Sequence, residues 1–343
     1  MPQPPSFPRS IVAGILVLAA TCICDCLFAQ SDAASANPAL HEVADVPMPG
    51  PAVRFDYQSF DAQHGRLYIA HMNANQLVVF DVRSRRVIAN LDGFARVHGV
   101  IAVPQIDRVF ASATGSHQVN IVSMSTLKPI ATAGPIDYPD GLAYAPSTQR
   151  VFVSDEHGGV DAVLDATTNK LIARIPLGGG AGNTVYDSGA DRILVAVHGL
   201  NQLIAIDPAT MKISARYALP GVDDPHGIAL DLANGLAFVA GEGNHTLAVF
   251  DLKSQKLLAV HPVGDDPDVL AFDPGLMRLY VSAESGTVTV FQEAGRKLDP
   301  IAQFNMPHAH TVAVDPATHL VYFPLENAGG KPVLRIMEPI LSR

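Results

Sequence analysis

From about residue 40 onward the chain is built of short apolar runs separated by Asp, Asn, Gly and Pro. Many of these runs alternate apolar and polar residues, the two-residue period of half-buried β-strands. Residues 139–180, PDGLAYAPSTQRVFVSDEHGGVDAVLDATTNKLIARIPLGGG, show the unit most clearly. Four strands are read there, over 141–145, 150–154, 160–164 and 171–176, joined by turn-forming residues. The second strand recurs as LYIA, VFAS, VFVS, ILVA, AFVA, LYVS and VYFP. The third recurs as LVVFD, VNIVS, DAVLD, LIAID, LAVFD, VTVFQ and VLRIM.

Four strands every ~42 residues is the signature of a β-propeller blade. Helical solenoids do not fit the period-two alternation, and open β-solenoids usually have shorter rungs. The last repeat has three strands, and a strand-like stretch at 41–50, HEVADVPMPG, resembles the fourth strand of the complete repeats. The expected fold is therefore all-β: one seven-bladed β-propeller of four-stranded blades over 41–343. An N-terminal strand completes blade 7 and removes the sheet edges that an open array would expose. Such a ring needs no partner for stability, so a monomer is expected.

Residues 1–29 read as a signal peptide, followed by a flexible segment over 30–40. Arg9 precedes the apolar run IVAGILVLAA at 11–20, which is too short to span a bilayer. Cleavage is expected after Ala29 or near Ala20. Cys22, Cys24 and Cys26 are the only cysteines, so cleavage after Ala29 leaves no thiol for disulfide, nucleophile or metal ligand. Periplasmic or secreted localisation follows, with no membrane attachment after signal removal.

The sequence has 33 acidic and 23 basic residues, for a net charge of −10. That balance argues against nucleic-acid binding, which draws its affinity from Lys and Arg against phosphate. Arg83, Arg85 and Arg86 fall in a blade turn and read as a solvated loop. No Cys-x-x-Cys-His is present, so no haem is expected, and the absence of Trp argues against a PQQ-type quinoprotein propeller. The glycines of GGGAG at 178–182 sit in a blade connection, so no nicotinamide or phosphate site is expected there.

Candidate chemistry lies in a column that repeats with the blades: Asp56, His98, Asp140, Asn183, His226, Asp268 and His310. A second column follows 15 or 16 residues later: Met72, Thr114, Glu156, His198, Glu242, Glu284 and Glu326. The start of strand one and the end of strand two share a face in a four-stranded blade, so both columns rim one channel mouth. Blades 5, 6 and 7 each pair a column residue with a Glu. The expected metal ligands are His226, Asp268, His310, Glu284 and His98, for a divalent ion of undetermined identity. Glu242, Glu284, Glu326 and His310 are the candidate proton-transfer groups. Ordinary turn and interblade hydrogen bonding accounts equally for Asp56, Asp140 and Asn183. His41, His64, His117, His157, His245, His261 and His319 read as loop or surface residues, whereas His71 and His308 flank the columns.

The repeat resembles the YVTN/YncE-like propellers, through L-Y-V-S or V-F-V-S on strand two and V-F-D-x-x-S/T-x-K-L-x-A on strands three and four. This resemblance implies an exported binding or surface protein. A narrower likeness joins Pro225-His226-Gly227-Ile228-Ala229 to the streptogramin (virginiamycin B) lyases, which are metal-dependent seven-bladed enzymes. It maps their His and Glu pattern onto His226, Asp268, Glu284 and His310. The sequence departs from that pattern at Asp268 and in lacking Trp before Glu284. The leading expectation is thus a module that binds a small molecule, protein partner or metal at the channel mouth. The alternative is a metal-dependent lyase or lactone/ester hydrolase at the same place.

Overall fold

The computed structural model describes residues 39–341. The expected signal segment and all three cysteines fall outside them. Within the described residues, seven four-stranded antiparallel sheets follow one another as blades. Blade 3, for example, runs through Pro139–Ala145, Arg150–Asp155, Val160–Asp165 and Lys170–Pro176. Blade 7 joins Ala313–Val314, Val321–Ala328 and Lys331–Pro339 to Leu40–Pro47, which forms its outer edge. The N-terminal strand therefore closes the ring, pairing antiparallel with Lys331–Pro339. Arg335 locks that junction by donating from both Nε (2.8 Å) and a terminal nitrogen (2.6 Å) to the Asp45 carboxylate.

The turns explain why the strands reverse where they do. At the first hairpin of blade 1, the Asp61 carboxylate accepts from the backbone N–H of Gln63 and His64. The chain then takes a left-handed conformation at Gly65, φ 67°. The same device recurs at Asp231, Asp273 and Asp315 on strand-one turns, and at Asp165 and Asp207 on strand-three turns. A short acceptor side chain satisfies turn amides that no ladder reaches.

The core is a series of apolar layers between neighbouring blades. The second strand sits at its centre. Tyr68, Phe110, Phe152, Leu194, Phe238, Tyr280 and Tyr322 occupy one equivalent position and are all buried. Outer strands are half exposed and alternate, as in KLIARIP at Lys170–Pro176.

Glycine sets the spacing at the channel. Gly99 and Gly227 follow column residues directly, and a Cβ at either would strike the backbone oxygen of the next blade's column residue, Asp140 or Asp268. Ser112 and Thr114 hydroxyls reinforce this contact by donating to the carbonyls of Asp140 (2.6 Å) and Pro139 (2.5 Å). Thr114 in the second column is thus an interblade clasp. The column is consequently drawn inward with blades pressed close around it.

Candidate functional site at the channel mouth

The mouth holds a cavity of about 230 Å³ lined by Asp56, His98, Asp140, His226 and Asp268 from the inner column. Glu156, Glu242 and Glu284 of the second column also line it. Six carboxylates face Arg54 and Arg96 there. The inner groups are buried: Asp56, Asp140 and Asp268 are only 2–5% exposed.

Tyr57 organises the centre. The equivalent position in blades 2, 3 and 5 is occupied by Gly99, Gly141 and Gly227. The phenol donates to Asp268 Oδ1 at 3.3 Å and lies 3.0 Å from His226 Nε2. With its one proton given to Asp268, the oxygen accepts from His226 Nε2–H. His226 Nδ1 then accepts from His198 Nε2–H at 3.0 Å, and it lies 3.4 Å from Glu242 Oε1. Tyr57 also lines a second cavity of about 230 Å³ beyond it in the channel, so its ring divides the two spaces.

The remaining column residues part company. Asp56, Asp268 and His310, from blades 1, 6 and 7, bring potential ligand atoms within 4.8 Å of one another. Asp56 Oδ1 and His310 Nε2 are buried and have no hydrogen-bond partner among the described residues. His98 turns toward Tyr138, whose hydroxyl is 3.1 Å from Nε2, while Nδ1 donates to the Arg96 carbonyl at 2.7 Å. Glu284 is drawn to the Arg54 guanidinium at 2.7 Å, and Glu326 pairs with His308 at 2.7 Å. Asn183 turns its Oδ1 to the N–H of Thr184, a local contact.

Asp56 and Asp140 are not merely turn residues. Both face the cavity, and each has one carboxylate oxygen without a partner among the described residues. His71 lies buried and stacked on Phe55, with ring centroids 4.0 Å apart, rather than joining the site.

The electrostatics follow from crowding in a buried mouth. Burial pushes the carboxyls of Asp56, Asp140 and Asp268 up from their usual range, and mutual repulsion adds to it. Arg54 opposes this for Asp56. Burial raises Glu242 to about 9, helped by the Asp268 charge. The imidazoles go the other way: burial lowers His226 and His310 each to about 3, and His98 to about 4. Neutral imidazole is the form that ligates a metal, whereas the raised carboxyls give up their protons on binding one. The His/Asp/Glu groups of this mouth can hold a cation, in one set of Asp56, Asp268 and His310 and another of His198, His226 and Glu242.

Arg54, Arg96, Tyr57 and Tyr138 were not among the sequence candidates. Their signal is a third column, two residues before the first: Arg54, Arg96, Tyr138, Ala181, Asp224, Asp266 and His308. Arg96, Asp224, Asp266 and His308 all have positive φ, between 44° and 68°, which turns the chain at the rim. Tyr57 is betrayed by a bulky residue where blades 2, 3 and 5 have glycine.

Fold and site together define a seven-bladed β-propeller with an acid- and imidazole-lined channel mouth. No family model matches the sequence. Antigen Lp49 of Leptospira interrogans serogroup Icterohaemorrhagiae serovar copenhageni (strain Fiocruz L1-130) is 22% identical over 228 residues. That match takes in 64% of this chain and 40% of the antigen, so the chain spans well under half of that relative. Among solved structures, Kuenenia stuttgartiensis hydrazine synthase matches with a TM-score of 0.72 at 14% identity, over 87% of this chain and 98% of that chain. A structure of U3-55K matches with a TM-score of 0.73 at 10% identity, with the same coverage. These likenesses show the propeller fold.

Proposed function

We propose that this chain is an exported, monomeric propeller of the YncE-like kind that binds a divalent cation at its channel mouth. Asp56, Asp268 and His310 are the ligands, and a small-molecule or protein ligand docks over the loaded site. One observation carries the reading: three buried groups from three blades converge within 4.8 Å, and the Asp56 and His310 atoms left without partners point to a missing one. Buried polar atoms are ordinarily satisfied, and a bound cation satisfies both while offsetting crowded carboxylates. Of the five expected ligands this reading keeps Asp268 and His310 and adds Asp56, since Glu284 pairs with Arg54, His98 with Tyr138, and His226 with Tyr57 and His198. Export is supported by Arg9 followed by the apolar run at 11–20. Calorimetric titration of the chelator-treated protein with Mn²⁺, Zn²⁺ and Ca²⁺ tests the site. We expect saturable binding that weakens about 100-fold or more in Asp56→Asn and His310→Ala. Equal affinity in both variants would exclude the triad.

One contact favours a second reading, a metal-dependent lyase or lactone/ester hydrolase. The Tyr57 hydroxyl touches Asp268 of the triad and also His226, so a proton-bearing group stands beside a Lewis-acid position. Turnover of lactones and cyclic esters that chelation abolishes, that added metal restores and that Tyr57→Phe slows would support it. No metal-dependent turnover across such a panel would sink it.

A further inference from the structure

We propose that the mouth holds a second, zinc-type cation site made by His198, His226 and Glu242. These residues come from blades 4 and 5 and share no ligand with the Asp56–Asp268–His310 triad, so the proposal stands whether or not the triad binds an ion.

The spacing of the three donors fits one small cation. His198 Nε2 lies 3.0 Å from His226 Nδ1, and His226 Nδ1 lies 3.4 Å from Glu242 Oε1. Bonds of about 2.0–2.1 Å to a tetrahedral zinc place neighbouring ligand atoms about 3.3–3.4 Å apart. The three atoms all fall within 4.8 Å of one another. Two of the three separations thus lie within a few tenths of an ångström of the tetrahedral spacing, and side-chain rotation closes the third.

The His226 tautomer is already set, and a cation takes the place of the proton that His198 Nε2 shares with His226 Nδ1. His226 Nε2–H is held by the Tyr57 oxygen, and Tyr57 in turn donates to Asp268. A ligating imidazole commonly has its far N–H fixed in this way, which orients the ring and raises its basicity. The His198 ring reaches its neighbour because Gly182 leaves space: a Cβ there would stand 2.9 Å from His198 Nε2. Side chains with Cβ at that position would push the ring off the site.

The donor set selects the class of ion. Two imidazoles and one carboxylate, without thiolate, favour zinc, cobalt, nickel or copper over calcium or magnesium. Three protein ligands leave a fourth position, and His226 and Glu242 both line the open cavity. A two-histidine, one-glutamate shell with a free position is the arrangement that binds an exchangeable water or an incoming ligand. Arg54 and Arg96 line the same cavity, so an oxyanion-bearing small molecule is the class of ligand favoured for the free position.

Reconstitution of the chelator-treated full-length protein with Co²⁺ tests the site. The expected result is the intense visible absorption of four-coordinate Co²⁺. The band and one bound equivalent should be lost in His198→Ala and also in the near-isosteric Glu242→Gln. Asp56→Asn should leave the band intact, so failure of the triad and failure of this site read out separately. Absence of the band from the unsubstituted protein, or its survival in either variant, overturns the second site.

Discussion

A single phenol decides how the mouth is divided. Tyr57 stands where blades 2, 3 and 5 have glycine, and it ties His226 to Asp268. Removing its oxygen leaves the ring's packing in place but frees the His226 tautomer. Tyr57→Phe is expected to weaken cation affinity about 10- to 100-fold, the usual effect of losing an outer partner, as read by competition with a chromophoric chelator. Unaltered affinity would mean that the phenol is packing alone. Asp161 offers a residue-scale test away from the mouth. It is fully buried, its Oδ2 accepts from the Thr184 hydroxyl (3.2 Å), its Oδ1 has no partner among the described residues, and burial raises its carboxyl to about 7. A raised folded-state value favours the protonated form, so the stability it confers is complete below the unfolded carboxyl range. That stability is lost as pH rises through about 7. Asp161→Asn should therefore gain on the parent protein as pH rises from 4 to 8, by at most about 4 kcal/mol. A difference in denaturation midpoint that does not change with pH would refute this.

At the scale of the element, the second strand carries the stability. Phe152 is fully buried between blades 3 and 4. Phe152→Ala is expected to cost about 3–5 kcal/mol through lost burial and the cavity left behind, measured by urea denaturation. A cost under about 1 kcal/mol would show that the layer repacks freely. Most of this was legible in the sequence. The strand-two motif gave the buried position in every blade, and the period placed each column residue at a blade's entrance to the channel. Period fixes the height of a residue along the channel, not the direction of its side chain. Glu284 shares its column with Glu242, yet Arg54 pulls one aside while His226 faces the other. His226 and His310 likewise occupy equivalent positions and end in different clusters. Neither outcome could be read without knowing where Arg54 and Tyr57 reach, and both belong to the stretch before blade 1's first strand, where the alternating pattern is silent.

For the whole molecule, closure is the governing feature. The outer edge of blade 7 is the strand Leu40–Pro47, held by its ladder to Lys331–Pro339 and by the Arg335–Asp45 pair. Deleting residues 40–47 should bare the Lys331–Pro339 edge and produce aggregation-prone species in light scattering. A monodisperse truncated protein with an unchanged melting temperature would show that the strand is dispensable. Closure also serves the site, since the triad draws on blades 1, 6 and 7 and exists only when the ring brings blade 1 beside blade 7. The most direct test of the cation reading is anomalous X-ray diffraction from crystals of the protein loaded with Mn²⁺ or Zn²⁺, recorded on both sides of the metal absorption edge. The expected result is a peak within bonding distance of the Asp56 and Asp268 carboxylates and the His310 ring. A metal-soaked crystal with no anomalous density beside these three residues would contradict it, whatever is bound at His198, His226 and Glu242.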